Sequence, residues 1–230
     1  MHSLISFYQS SIGKKWLVAI SGVILVGFVT GHMIGNLQIF LGQEMINVYA
    51  ERLQSLGDLL WVIRGFLLAT IVVHILMTVR LAIGNRRARS HKYAVTKTVA
   101  ATIAARTMAA SGSIILCFVI FHLLHFTALK IHPDWRTWHD AAGRHDVYSM
   151  MIAGFQDWRA SAFYILGIFL LCLHMSHGIQ SFLQTLGGRT RNFAKPLAMI
   201  SPAISFLIFA GYISIPAAVL LGLLKLPAHH

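Results

Sequence analysis

Apolar residues fall into five long runs, at about 16–41, 59–83, 108–129, 160–186 and 197–224, with shorter polar stretches between them. Each run reaches the ~20 residues that a helix needs to cross the hydrocarbon of a bilayer. No period-two alternation competes with this reading, and no internal repeat is evident. The pattern predicts an all-α integral membrane protein with five transmembrane helices. Gly187-Gly188 closes the fourth run, Pro196 and Pro202 stand where the fifth begins, and Pro216 lies inside it, where a kink is expected.

Composition sharpens that picture. Only 11% of the residues are charged and 57% are hydrophobic, against ~25% charged in a soluble domain. The net charge of +12 is not gathered in a basic tail of the kind that binds nucleic acid; the cations sit between apolar runs. Lys14, Lys15, Arg80, Arg86, Arg87, Arg89, Lys92, Lys97, Arg106, Arg189, Arg191 and Lys195 fall on one side of the membrane. The acids Glu44, Glu51, Asp58, Asp134, Asp140, Asp146 and Asp157 fall on the other. The positive-inside rule places the N-terminus in the cytoplasm and the C-terminus outside. Twelve cations on one face also suit anionic lipid or an acidic peripheral subunit. Trp16, Trp61 and Trp158 stand at span ends, as interfacial aromatics do. The N-terminus shows no cleavable signal pattern. Cys117 and Cys172 lie within apolar runs and read as small packing residues, too few for an iron–sulfur cluster.

Four histidines interrupt the apolar runs, one on each of the first four helices: His32, His74, His122 and His174. An imidazole in hydrocarbon is costly without a partner, so each is a candidate functional residue. His32 lies ten residues before Gly42 and His122 eight before Lys130, ~12–15 Å from the outer ends of their helices. His74 lies sixteen after Asp58 and His174 fifteen after Arg159, ~22–24 Å from the same ends. Two levels with two imidazoles each suit two haems b, each held by a pair of axial histidines within a bundle of helices one to four. Structural zinc would want four ligands at one level, and no Asp or Glu lies within a span to complete a proton relay. His125 and His177 follow His122 and His174 by three residues and share roughly their faces, so spacing alone leaves the ligand of each close pair open. His2, His91, His132, His139, His145, His229 and His230 fall in loops or termini. Ser21-Gly22, Gly27, Gly31, Gly35 and Ser111-Gly112-Ser113 leave room for helix contact or for a flat ring. Lys15 and Arg106 at the inner level and Arg64 at the outer one are candidates to pair haem propionates. Trp16 and Ser21 are candidates to line a quinone pocket on the cytoplasmic side.

The stretches Thr30-Gly31-His32-Met33-Ile34-Gly35-Asn36, Phe121-His122-Leu123-Leu124-His125-Phe126 and Leu173-His174-Met175-Ser176-His177-Gly178 resemble the cytochrome b subunit of succinate:quinone oxidoreductases. The likeness is to the type with one five-helix subunit and two haems, the cytochrome b558 family. It runs from about Lys14 to the fifth helix and makes residues 1–230 a single transmembrane cytochrome b domain. The resemblance implies that His32 and His122 hold a distal haem, and His74 and His174 a proximal one nearer the cytoplasm. It implies an FAD-bearing flavoprotein subunit that oxidises succinate or reduces fumarate, an iron–sulfur subunit, menaquinone or another quinone as substrate, and a bacterial inner membrane. Some relatives carry a buried glutamate two residues before the proximal ligand of the fourth helix; Cys172 stands there, so their proton path is not expected. Glu51 is the nearest match to a quinone-site glutamate of other relatives. Two competing readings are a cytochrome b anchor for a hydrogenase or formate dehydrogenase, and a haem-free membrane anchor or transporter.

Overall fold

Residues 10–87, 103–187 and 194–227 are described by the structure, a computed structural model. Ser10 opens the first element. Its side chain accepts from the Gly13 amide at 2.9 Å and caps α1, Ser11–Asn36. A 3-10 turn, Leu37–Leu41, carries the chain on to Gly42, whose φ of 100° lets it turn sharply into the amphipathic α2, Gln43–Gln54. Then follow α3, Asp58–Arg87, and α4, Ile103–His122, which widens into a π-helical turn at Leu123–Thr127. A 3-10 turn at Pro133–Thr137, α5 at Val147–Gln156, α6 at Trp158–Thr185 and α7 at Ala194–Leu220 complete the chain.

Five of these helices, α1, α3, α4, α6 and α7, are long and apolar enough to cross a membrane. Among the described residues there is no strand, only an isolated bridge between His139 and His145. The element ends differ from the apolar runs where capping, not hydrophobicity, decides. The first span starts earlier because Ser10 caps it, and the fifth stops at Leu220 ahead of Gly222, which has φ of 70°. Pro202 lies within α7 instead of at its start, and the helix runs on through Pro216 as well. Arg89, His91, Lys92, Lys97, Gly188, Arg189, Arg191, His2, His229, His230 and the side chains of Arg106 and Lys195 lie outside the described residues.

Packing is uneven across the spans. The buried side chains of α6 (Ser161, Tyr164, Gly167, Ile168, Cys172, Met175, Ile179) recur every three or four residues and form one stripe. That stripe meets Phe118 of α4 and Ile208 and Ile215 of α7 in the main core. The Phe118 ring lies directly over Gly167, where a Cβ would collide with it. By contrast α3 buries only Thr70 and Met77, and Trp61, Val62, Phe66 and Leu68 stay exposed, as a lipid-facing surface does. Helix α3 packs on α1, α4 packs on α6, and α1 packs on α6, but α1 makes almost no backbone approach to α4, nor α3 to α6.

The acid-bearing end is locked by polar groups. Asp146 is fully buried: it caps α5 through the Ser149 amide at 3.1 Å and accepts from Ser149 Oγ, Gln43 Nε2 and Asn47 Nδ2 at 2.6–3.0 Å. Asn47 also donates to Asp140 at 3.1 Å and accepts from the Tyr148 amide at 3.0 Å. Arg144 then joins Asp140 (2.8 Å) to Glu44 of α2 (2.6 Å). This network binds α2 to α5 over one end of the bundle, and Gly35 lets the Tyr49 ring of α2 lie against α1.

Candidate functional site

Two imidazole pairs meet inside the spans. His32 of α1 and His122 of α4 have ring centroids 5.8 Å apart with planes at 78°. His74 of α3 and His174 of α6 have centroids 6.4 Å apart with planes at 60°. These are the two pairs expected from depth. Each pair reaches across two helices that barely approach one another, whereas helices in ordinary contact pack at ~8–10 Å. Two imidazoles bound to opposite sides of one metal ion, each ~2.0 Å from it, have centroids ~6 Å apart. Both separations match that geometry.

Hydrogen bonds orient three of the four rings through Nδ1. His74 Nδ1 lies 3.0 Å from Ser21 Oγ, and His174 Nδ1 lies 3.3 Å from Ser111 Oγ. His122 Nδ1 lies 3.4 Å from the Tyr164 hydroxyl, which also meets His125 Nδ1 at 3.2 Å. A metal-binding histidine characteristically uses its second nitrogen this way, leaving Nε2 for the metal. His32 is the exception: Asn36 Nδ2 donates to its Nε2 at 3.2 Å, so the amide competes with a metal for that nitrogen. Phe28 stacks on the His32 ring, Phe118 on the His122 ring, and Tyr212 of α7 adds a tilted contact to His32 while donating to the Val29 carbonyl at 2.7 Å.

Serine, glycine, phenylalanine and histidine occur at identical spacing on α1 (Ser21, Gly22, Phe28, His32) and α4 (Ser111, Gly112, Phe118, His122). Both glycines face the imidazole of the next spanning helix: a Cβ on Gly22 or Gly112 would sit 3.6 Å from Cε1 of His74 or His174. The match is confined to these four positions of α1 and α4, since His74 lies 53 residues after Ser21 but His174 lies 63 after Ser111. Such a pattern is hard to read from sequence, because four positions are diluted among interchangeable apolar residues. Ser111 and Tyr164, which carry Nδ1 partners, were likewise not singled out as ligand partners from sequence.

The close pairs divide. His125, only 1% exposed, is turned by the π-helical turn into an aromatic cluster with Phe126, His132, Trp135 and Tyr164, away from His32. His177 stays partly buried on α6 and makes no contact of the His74–His174 kind among the described residues. Gly27 and Gly31 touch no neighbouring helix, since a Cβ at either would meet nothing within 4 Å.

Other expected site residues lie apart. Arg64 stacks over Trp61 of its own helix at 4.9 Å, and Lys15 and Trp16 are exposed in the first turns of α1. Ser21 belongs to His74. Glu51 lies on α2, outside the spans, in the wall of a polar cavity of about 280 Å³ that Arg144 and His145 share. A larger cavity of about 460 Å³ opens at the acid-bearing end, lined by Phe121, His125, His132, Asp157, Arg159 and Phe163.

Among the described residues no group of three or more His, Cys, Asp or Glu side chains converges as a metal cage. A pair of imidazoles is a sufficient donor set only where another group supplies the remaining ligands, as a porphyrin does. The residues present therefore fit haem b better than a bare ion. No family model matches the chain, and neither the curated proteins nor the solved structures hold a match to it.

Proposed function

We propose that this chain is the di-haem cytochrome b membrane anchor of a succinate:quinone oxidoreductase, carrying electrons between an iron–sulfur subunit and a membrane quinone. The observation that carries the reading is the pair of imidazole couples, each spanning helices that do not otherwise pack. His32 and His122 would hold the outer haem, His74 and His174 the inner. A haem bound at each pair would supply one-electron transfer. The chain's own groups hold the rings: Ser21, Ser111 and Tyr164 fix the imidazoles, and Gly27 and Gly31 leave space beside His32.

The assignment to succinate chemistry rests on the sequence resemblance, and the carbon chemistry belongs to partner subunits. Lys14, Lys15, Arg80, Arg86 and Arg87 gather at the end opposite the acids, and suit an acidic face of an iron–sulfur subunit on the cytoplasmic side of a bacterial inner membrane. The 460 Å³ cavity, with aromatic walls and His125, His132 and Arg159 as polar groups, has the make-up of a quinone pocket at the other end.

Purification of the intact complex tests the proposal. Two haems b per chain and succinate-dependent reduction of a menaquinone analogue are expected. One haem or none would defeat the haem assignment. Two haems with a nickel or molybdenum partner would instead make the chain the anchor of another oxidoreductase.

A further inference from the structure

Ser21 and Ser111 each stand between a carbonyl of their own helix and an imidazole of the next spanning one. Ser21 Oγ donates to the Leu17 carbonyl at 2.6 Å, and Ser111 Oγ donates to the Met108 carbonyl at 3.2 Å. A hydroxyl has one proton, and here the backbone of its own helix takes it. Toward the imidazole each oxygen can therefore only accept. Nδ1 then carries the proton in His74, and the matching arrangement at Ser111 assigns it to Nδ1 of His174, so that Nε2 keeps its lone pair in both. With Nδ1 turned to the serine of a neighbouring helix, Nε2 sits on the far side of each ring.

We infer that Ser21 and Ser111 are the positioning residues of the inner haem site, fixing the tautomer and rotation of His74 and His174 and strengthening both as electron donors. This rests on the haem reading above and adds to it a difference between the levels. The inner pair has two equivalent hydroxyl acceptors. The outer pair has a tyrosine on one ring and an amide on the other. An imidazole whose N–H is bonded to oxygen is the more basic ligand and favours the oxidised metal. The serines thus hold the inner potential below the value it would have without them.

The test uses the intact complex with Ser21→Ala, Ser111→Ala and the matching Thr variants, the inner haem being identified as the one lost in His74→Ala. The Ala variants should shift the inner midpoint potential upward and move its low-spin electron paramagnetic resonance signal, with the outer haem unchanged. The Thr variants, which keep the hydroxyl, should stay near wild type. Loss of the inner haem from Ala variants but not from Thr variants supports the inference equally. Ala and Thr variants that behave alike would overturn it, whether both match wild type or both fail. A complex with two haems and unresponsive serines refutes only this inference; a wild-type complex without haem refutes the reading beneath it as well.

Discussion

The Tyr164 hydroxyl serves two rings, His122 and His125, with a single proton, so it accepts from one and donates to the other. Tyr164→Phe leaves two buried ring nitrogens without that partner. We expect a loss of about 1 kcal/mol, read as a lower midpoint of unfolding in mild detergent; an unchanged midpoint would mean that the bonds contribute nothing. On the proposed reading, replacing one of the paired histidines has a different signature. His122→Ala or His74→Ala should each lower the pyridine haemochrome yield from two haems to one, whereas His125→Ala and His177→Ala should retain both. Loss of haem on replacing His125 would show that the close pair has been assigned the wrong way round. The paired histidines were legible because a polar ring in an apolar run stands out. Their partners were not, since Ser and Tyr occur in ordinary membrane helices, and only the fold brings Ser21 beside His74.

Helices α2 and α5 are held together by charge and hydrogen bonds as much as by apolar contact, and neither was foreseen. Helix α2 is short and mixed in polarity, and α5 is a brief apolar run with no strong period. The five spans were legible because length and hydropathy suffice to mark them; the lock between spans depends on residues a hundred positions apart, such as Arg144 and Glu44. Asp146→Ala removes the α5 cap and strands Asn47 and Gln43, so a loss of about 3 kcal/mol is expected in the same unfolding measurement. Glu44→Gln, at an exposed carboxylate, should leave the unfolding midpoint close to that of the wild type. Acid should act through the same network. The hydrogen bond from Arg144 holds the Glu44 carboxyl below the usual carboxylate range. Burial alone would raise Asp140, but the Arg144 backbone and side chain, Asn47 and the Ala142 amide outweigh it and hold that carboxyl low too. Both groups bind protons more weakly folded than unfolded. Their contribution is therefore complete above the ordinary carboxylate pKa of ~4 and is lost as pH falls through the lowered folded values. Arg144 has its own pKa pushed up by Glu44 and stays charged throughout. Arg144→Ala should flatten the acid limb of stability against pH; an identical acid limb in the variant would place the sensitivity elsewhere.

Across the whole molecule, the core is lopsided. It lies between α5, α6, α7 and the locked end, while among the described residues α3 is held chiefly through α1 and α4 chiefly through α6. A helix with one packed flank gains little from the hydrophobic effect inside lipid, because hydrocarbon already surrounds its other flank. Among the described residues the paired histidines meet across both gaps, α1 to α4 and α3 to α6, beside the α1–α6 contact that joins the two packed pairs α1–α3 and α4–α6. On the proposed reading the cofactors are structural cross-braces as well as redox groups, since each iron joins two helices that the protein alone leaves apart. Binding to the folded arrangement then stabilises it by mass action. Chain prepared from a haem-deficient host should unfold at a lower temperature than the haem-loaded form. The loss of amide protection should be concentrated in α3 and α4, with α6, α7 and the Asp146 network keeping most of theirs. Hydrogen exchange followed peptide by peptide makes the comparison. Equal protection of α3 and α4 with and without haem would mean that these helices are held by contacts other than the bridging imidazoles, and the paired histidines would then need another explanation.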